Sequence, residues 1–176
     1  MKNTKKITTD ALLLSLLCII SPISIPTVIS PINITLQTLV LTIITILRGK
    51  NSFLIIFGYL IIGGLGLPVF SGFKGGFSVL IGPSGGFLLG FLFFPLPIIR
   101  FLNDSISKVH AFLIFLLSHL IVYLPGLLWL KLYLGISLIK LFKIGFIPFL
   151  PGDLIKIVIC TILFKSLISF KNRLKI

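Results

Sequence analysis

Pro148-Phe149-Leu150-Pro151-Gly152-Asp153-Leu154-Ile155-Lys156 opens an apolar helix and carries one of the three acidic residues in the chain. A carboxylate at membrane depth is costly, and such groups usually face a cavity or a partner and mark a functional path. Lys156 follows at i+3, so both side chains share one helical face. Two readings stay open: an acceptor and a donor displayed together for a small polar ligand, or an intrahelical ion pair that only holds register.

The rest of the composition decides where this helix sits. A soluble domain is roughly 45–50% apolar and about a quarter charged. This chain of 176 residues is 57% hydrophobic and 11% charged, with a mean hydropathy of +1.23. A water-soluble fold is therefore excluded, and the length suits one bundle of about five to seven spans of roughly 20 residues. A net charge of +13 would suit nucleic acid if the basic residues formed a patch. They lie instead in small groups between apolar runs, as membrane-flanking charges do. The expected surroundings are a lipid bilayer, with no nucleic-acid partner. Cys18 and Cys160 fall inside apolar stretches and read as small buried hydrophobes, not as a disulfide or a metal site.

Breakers divide the chain into six apolar segments, predicting helices over residues 7–20, 35–47, 52–67, 84–99, 109–132 and 152–170. The basic start Met1-Lys2-Asn3-Thr4-Lys5-Lys6 superficially resembles a signal peptide, but no small-residue cleavage site follows, so the first segment is kept as a span. Residues 133–150 read as a connector with a short interfacial helix. With the N-terminus cytoplasmic, Lys2, Lys5, Lys6, Arg48, Lys50, Arg100, Lys108, Lys165, Lys171, Arg173 and Lys175 lie inside, eleven of the sixteen basic residues. The positive-inside bias thus puts both termini in the cytoplasm. The loop at 21–34, a glycine-rich stretch at 71–86 and the Pro-Gly-Asp corner then all face outward. The unusual residues gather on one side, as an outward-facing binding site requires. The expected fold is all-α, one integral membrane domain over residues 1–176, built as a six-transmembrane-helix bundle.

Residues 72–86 hold six glycines in fifteen positions, which permits close backbone approach. No Gly-Lys-Ser/Thr ending is present, so this is not a nucleotide-hydrolysing loop. Gly82, Gly86 and Gly90 recur at i, i+4 and i+8 and suit tight helix packing, while Pro83, Ser84 and Gly85 suit a cavity lining. Thr35 could cap the second helix. Gln37, an amide on an apolar helix, needs a partner, either in a pocket or in the preceding loop. Ala11 and Ser15 form a small-xxx-small pair that lets another helix approach. His110 and His119, nine apart, share no face and read as hydrogen-bonded helix residues. Tyr123, Trp129 and Tyr133 fit an aromatic belt, and one or two could instead stack on a ligand ring. Three scattered acids (Asp10, Asp104, Asp153) give no paired carboxylates, metal cluster or catalytic triad. Binding and translocation remain.

Ile32-Asn33-Ile34-Thr35-Leu36-Gln37-Thr38, Gly66-Leu67-Pro68-Val69-Phe70, Gly82-Pro83-Ser84-Gly85-Gly86-Phe87-Leu88-Leu89-Gly90-Phe91 and the opening motif, in this order, resemble the BioY family. These are the biotin-binding S components of energy-coupling factor (ECF) transporters. The resemblance implies the six-helix S-component fold and biotin as ligand, with no cofactor. It also implies a transmembrane T component and two ATPase subunits as partners, in a bacterial cytoplasmic membrane. By the same resemblance Asp153 and Lys156 contact biotin, and Ala11 and Ser15 stand loosely for an Ala-xxx-Ala docking pattern on the first helix. The family's Gly-Pro-Thr-Gly-Gly-Tyr reads Ser84 and Phe87 here, which keeps an aromatic wall and loses a hydroxyl. Together with the residues read from the sequence itself, the candidate ligand set is Asp153, Lys156, Gln37, Ser84, Gly85 and Phe87, with Thr35, Lys74, Tyr123 and Trp129 behind them. Biotin's ureido group has two N–H donors and one carbonyl, so Asp153 can accept and Lys156 can donate. Lys74 is a candidate for the valerate carboxylate by charge alone. An S component for thiamine or riboflavin, or a membrane-embedded enzyme or assembly subunit, is the alternative.

Overall fold

The computed structural model describes residues 2–174. Met1, Lys175 and Ile176, counted above in the single domain and, for Lys175, among the inner basic residues, lie outside the described residues. In chain order the elements are α1 (Lys2–Ile20), β1 (Ser24–Ile25), β2 (Ile34–Thr35), α2 (Gln37–Arg48), α3 (Ser52–Gly64) and α4 (Phe77–Leu80). They continue with α5 (Gly85–Gly90), α6 (Pro95–Phe101), α7 (Lys108–Leu134), α8 (Leu138–Gly145) and α9 (Leu150–Leu174). Single 3-10 turns at Gly49–Asn51 and Ile147–Phe149 link α2 to α3 and α8 to α9.

Among the described residues, three helical runs are long and apolar enough to cross a membrane: Gln37–Gly64, Lys108–Leu134 and Leu138–Arg173. The first folds back on itself. Gln37 Nε2 donates to Tyr59 Oη at 2.7 Å, whereas 22 residues of continuous helix would separate them by about 33 Å at 1.5 Å per residue. The reversal falls at Gly49, whose φ of 54° costs glycine nothing and a β-carbon-bearing residue 1–2 kcal/mol. At that end Arg48 holds Asp10 of α1 through both carboxylate oxygens, so α1 is tied to the hairpin against which it packs.

α5 lies against α7 at very short range. A β-carbon on Gly86 would overlap Trp129 Cβ and the Pro125 carbonyl, and one on Gly126 would overlap the Phe87 ring. The small residues therefore set this interhelical distance, as small-xxx-small faces do where no hydrophobic drive exists between helices in lipid. α9 packs against both α2 and α7, and Leu41, Ile44, Phe115, Ile157 and Phe164 of these helices are buried. Outside, Leu113, Leu117, Leu120, Leu124 and Leu128 form an exposed leucine stripe along one face of α7. That surface is untenable in water and unremarkable in lipid.

Several boundaries differ from the sequence expectation. Thr35 does not belong to the second helix: it is in β2, paired with Ser24 of β1, and the helix begins at Gln37. The helix expected at 84–99 is two segments, α5 and α6. Between them Leu92, Phe93 and Phe94 each donate three residues back, because Pro95 and Pro97 remove two helical donors and tighten the turn. The glycine-rich stretch contains one helical turn, α4, and α1 starts at Lys2 rather than residue 7. The third helix stops at Gly64, short of 67. The connector at 133–150 does hold a short helix, α8.

Candidate functional site

α9 begins Leu150-Pro151-Gly152-Asp153, with proline where a missing N–H is harmless and the acid in the first turn, where the helix dipole favours an anion. Asp153 and Lys156 project inward: their exposures are 9% and 6%. Lys156 Nζ lies 2.6 Å from Asp153 Oδ1 and also donates to Thr38 Oγ1 at 2.9 Å and the Thr35 carbonyl at 3.1 Å. Tyr123 of α7 donates to Asp153 Oδ2 at 2.5 Å. Both charges are thus compensated, the condition for burying an ion pair at all.

The start of α2 supplies the facing wall. Gln37 is buried, with Oε1 accepting from Thr35 Oγ1 at 3.0 Å and Nε2 donating to Tyr59. Tyr59 in turn donates to the Val69 carbonyl at 3.1 Å. This chain ties α2, α3 and the Pro68–Phe70 turn into one polar seam. Between the seam and the ion pair lies a cavity of about 520 Å³ counting its mouth, lined by Thr35, Gln37, Thr38, Phe87, Phe91, His119, Val122, Tyr123, Phe149, Asp153 and Lys156 among others. A second cavity, about 490 Å³ on the same measure, shares Asn33, Thr35, Gln37, Phe87 and Phe91 with it and extends to Ser71, Lys74 and Ser84. A concave, partly aromatic lining with a few convergent polar groups is the form that small-ligand sites take. One end is charged, the middle is aromatic, and the far end is polar with a lysine.

Of the residues singled out from sequence, the structure brings Asp153, Lys156, Gln37, Thr35, Phe87 and Tyr123 to the first cavity, and Ser84 and Lys74 to the second. Gly85 and Trp129 line neither. A β-carbon on Gly85 would overlap the Leu80 carbonyl, so this glycine serves a close backbone crossing. Trp129 Nε1 donates to the Gly82 carbonyl at 2.9 Å and holds the glycine-rich stretch on α7. Tyr123 meets the site through its hydroxyl, not only its ring. Ala11 and Ser15 are both exposed on α1, with Ser15 Oγ donating to the Ala11 carbonyl at 2.9 Å. Sequence reading did not single out Thr38, Phe91 or Phe149, and took His119 for a hydrogen-bonded helix residue, which its contact to the Phe115 carbonyl bears out, without placing it at the cavity. Thr38 alone carried a signal, as it lies one turn from Thr35 at the helix start. Among the described residues no group of three or more His, Cys, Asp or Glu is placed to hold a metal.

A lipid-facing helical bundle with a compensated ion pair at the end of an aromatic cavity defines a membrane-embedded binding protein. Comparison with known proteins narrows the class. The BioY family pattern matches residues 1–173, and the chain belongs to the BioY family. It is 38% identical over 172 residues to "Biotin transporter BioY2" of Lactococcus lactis subsp. cremoris (strain MG1363), covering 96% of this chain and 93% of that protein. It is 35% identical over 146 residues to "Biotin transporter BioY" of Thermotoga maritima, covering 80% and 82%. Its fold is similar to the crystal structure of the S-component for biotin from an ECF-type ABC transporter, with a TM-score of 0.85 at 29% identity over 94% of this chain and 92% of that one. BioY proteins are transporter components, not enzymes.

Proposed function

We propose that this chain binds biotin from the outer side of a bacterial cytoplasmic membrane and serves as the substrate-binding component of an ECF-type transporter. In this reading the helices form a six-span bundle with both termini cytoplasmic. A T component docking on the Ala11/Ser15 face, together with two ATPase subunits, supplies the energy. The observation that carries the reading is the buried Asp153–Lys156 pair opening onto an aromatic cavity.

The ureido ring fits that end of the cavity. Asp153 accepts from a ureido N–H, and Lys156 gives up one of its contacts to Thr35 or Thr38 to donate to the ureido carbonyl, so the pair keeps its mutual neutralisation while holding the ligand by charge-assisted hydrogen bonds. Phe87 and Phe91 flank the bicyclic ring and aliphatic tail. The valerate carboxylate extends into the second cavity toward Lys74, with Ser84 as a hydrogen-bond donor. Gln37 holds the wall between the two.

Calorimetry on the detergent-solubilised protein tests the reading. Wild type should bind biotin and reject thiamine and riboflavin. Asp153→Asn should weaken biotin binding by on the order of 10²–10³-fold, the equivalent of about 3–4 kcal/mol for unbalancing a buried charge pair. Biotin affinity unchanged by that substitution would overturn the site assignment.

A further inference from the structure

His119, on α7 one turn before Tyr123, is only 2% exposed and lines the cavity beside Asp153 and Lys156. Its Nδ1 lies 2.8 Å from the Phe115 carbonyl oxygen. A carbonyl can only accept, so Nδ1 carries the proton, and in the neutral imidazole Nε2 is left as a bare acceptor. The ring is held in place edge-on against Phe94, centroids 5.3 Å apart. Nε2 has no hydrogen-bond partner. Among the described residues only one other buried side-chain polar atom shares that condition, Ser21 Oγ, and Ser21 does not line the cavity.

An orphaned acceptor is costly to bury, and none of its polar neighbours donates to it. Tyr123 gives its proton to Asp153, Gln37 gives one to Tyr59, and Lys156 is shared among Asp153, Thr35 and Thr38. A donor carried by whatever fills the cavity would satisfy it. A cyclic urea offers two N–H donors, and Asp153 accounts for one.

We infer that His119 Nε2 is a further ligand contact that accepts a hydrogen bond from the second ureido N–H, making the site selective for rings with two N–H groups. This rests on the biotin reading and deepens it. The ligand's carbonyl faces Lys156, and its two N–H groups divide between a carboxylate on α9 and an imidazole on α7. Binding then ties those two helices together through the ligand.

The chain has only two histidines, so ¹⁵N-imidazole NMR of the full chain in detergent, with and without biotin, gives a direct test. His110 is exposed, already paired with Ser107 at 2.8 Å, and serves as the internal control. The unprotonated-nitrogen signal of His119 should shift when biotin binds, while that of His110 stays put. In calorimetry His119→Phe should lose about tenfold in biotin affinity, the worth of one hydrogen bond. His119→Gln, whose amide oxygen reaches the Nε2 position, should recover most of it. Biotin binding to wild type with an unmoved His119 signal overturns this inference alone, even if His119→Phe binds weakly for packing reasons. Failure of wild type to bind biotin at all overturns the functional reading and this contact with it.

Discussion

Asp153 and Lys156 are each other's counter-ions, so single and double substitutions should not add. Lys156→Met leaves an anion buried with only the Tyr123 hydroxyl for support and should destabilise the bundle by about 3–5 kcal/mol. Asp153→Asn/Lys156→Met removes both charges and should unfold at a higher temperature than Lys156→Met alone, as thermal melts in detergent would record. Tyr123→Phe keeps the ring and deletes the donor to Asp153. It should cost about tenfold in ligand affinity, roughly the worth of a hydrogen bond to a charged group. At this scale the sequence was readable where chemistry is rare. An acid and a lysine three residues apart in an apolar helix stand out from their surroundings. His119 does not, because an orphaned nitrogen is a property of what surrounds it, and Phe115, Phe94 and the cavity come together only in three dimensions. Trp129 illustrates the converse, an aromatic that looked available for stacking and is committed to a backbone carbonyl 47 residues away.

Between elements, the contact of α5 with α7 bears most directly on the site. Gly126→Ala would drive a methyl into the Phe87 ring, and Phe87 must either enter the cavity or push the helices apart. Overpacking of this kind typically costs about 1–3 kcal/mol. Here it should also weaken biotin binding, with Phe87→Leu in the same chain restoring part of both, measured by melting temperature and calorimetry. Long uninterrupted elements were legible: α7 was expected over 109–132 and runs from Lys108 to Leu134, since nothing in its apolar run competes with helix except Pro125. The α5–α6 region was less so. Its prolines are visible, but whether they end a helix or tighten it depends on neighbours that hold the turn. The two-residue strands before α2 were not legible at all. Their pairing rests on a contact across eight intervening residues, and Thr35 serves strand, cap-like and cavity roles together.

For the whole molecule, the orientation argued from basic residues is open to direct labelling. With the native cysteines replaced, Val28→Cys, in the exposed loop before β2, should react with a membrane-impermeant maleimide from outside intact cells. Asp104→Cys, in the exposed turn before α7, should react only after the membrane is permeabilised. The reverse pattern would invert the bundle. Both ends of α2 are also fastened. Gln37 and Thr38 are bound to α3 and α9 at one end, and Arg48 to α1 at the other. A rod bolted top and bottom cannot work as a piston, so solute cannot be passed inward by sliding this helix along its axis. Spin labels on α2 and α9 should keep their separation through a transport cycle while both change tilt against the membrane normal. On the proposed function, these fastenings favour movement of the bundle as a unit, with the sliding surfaces on the outside, where protein meets lipid.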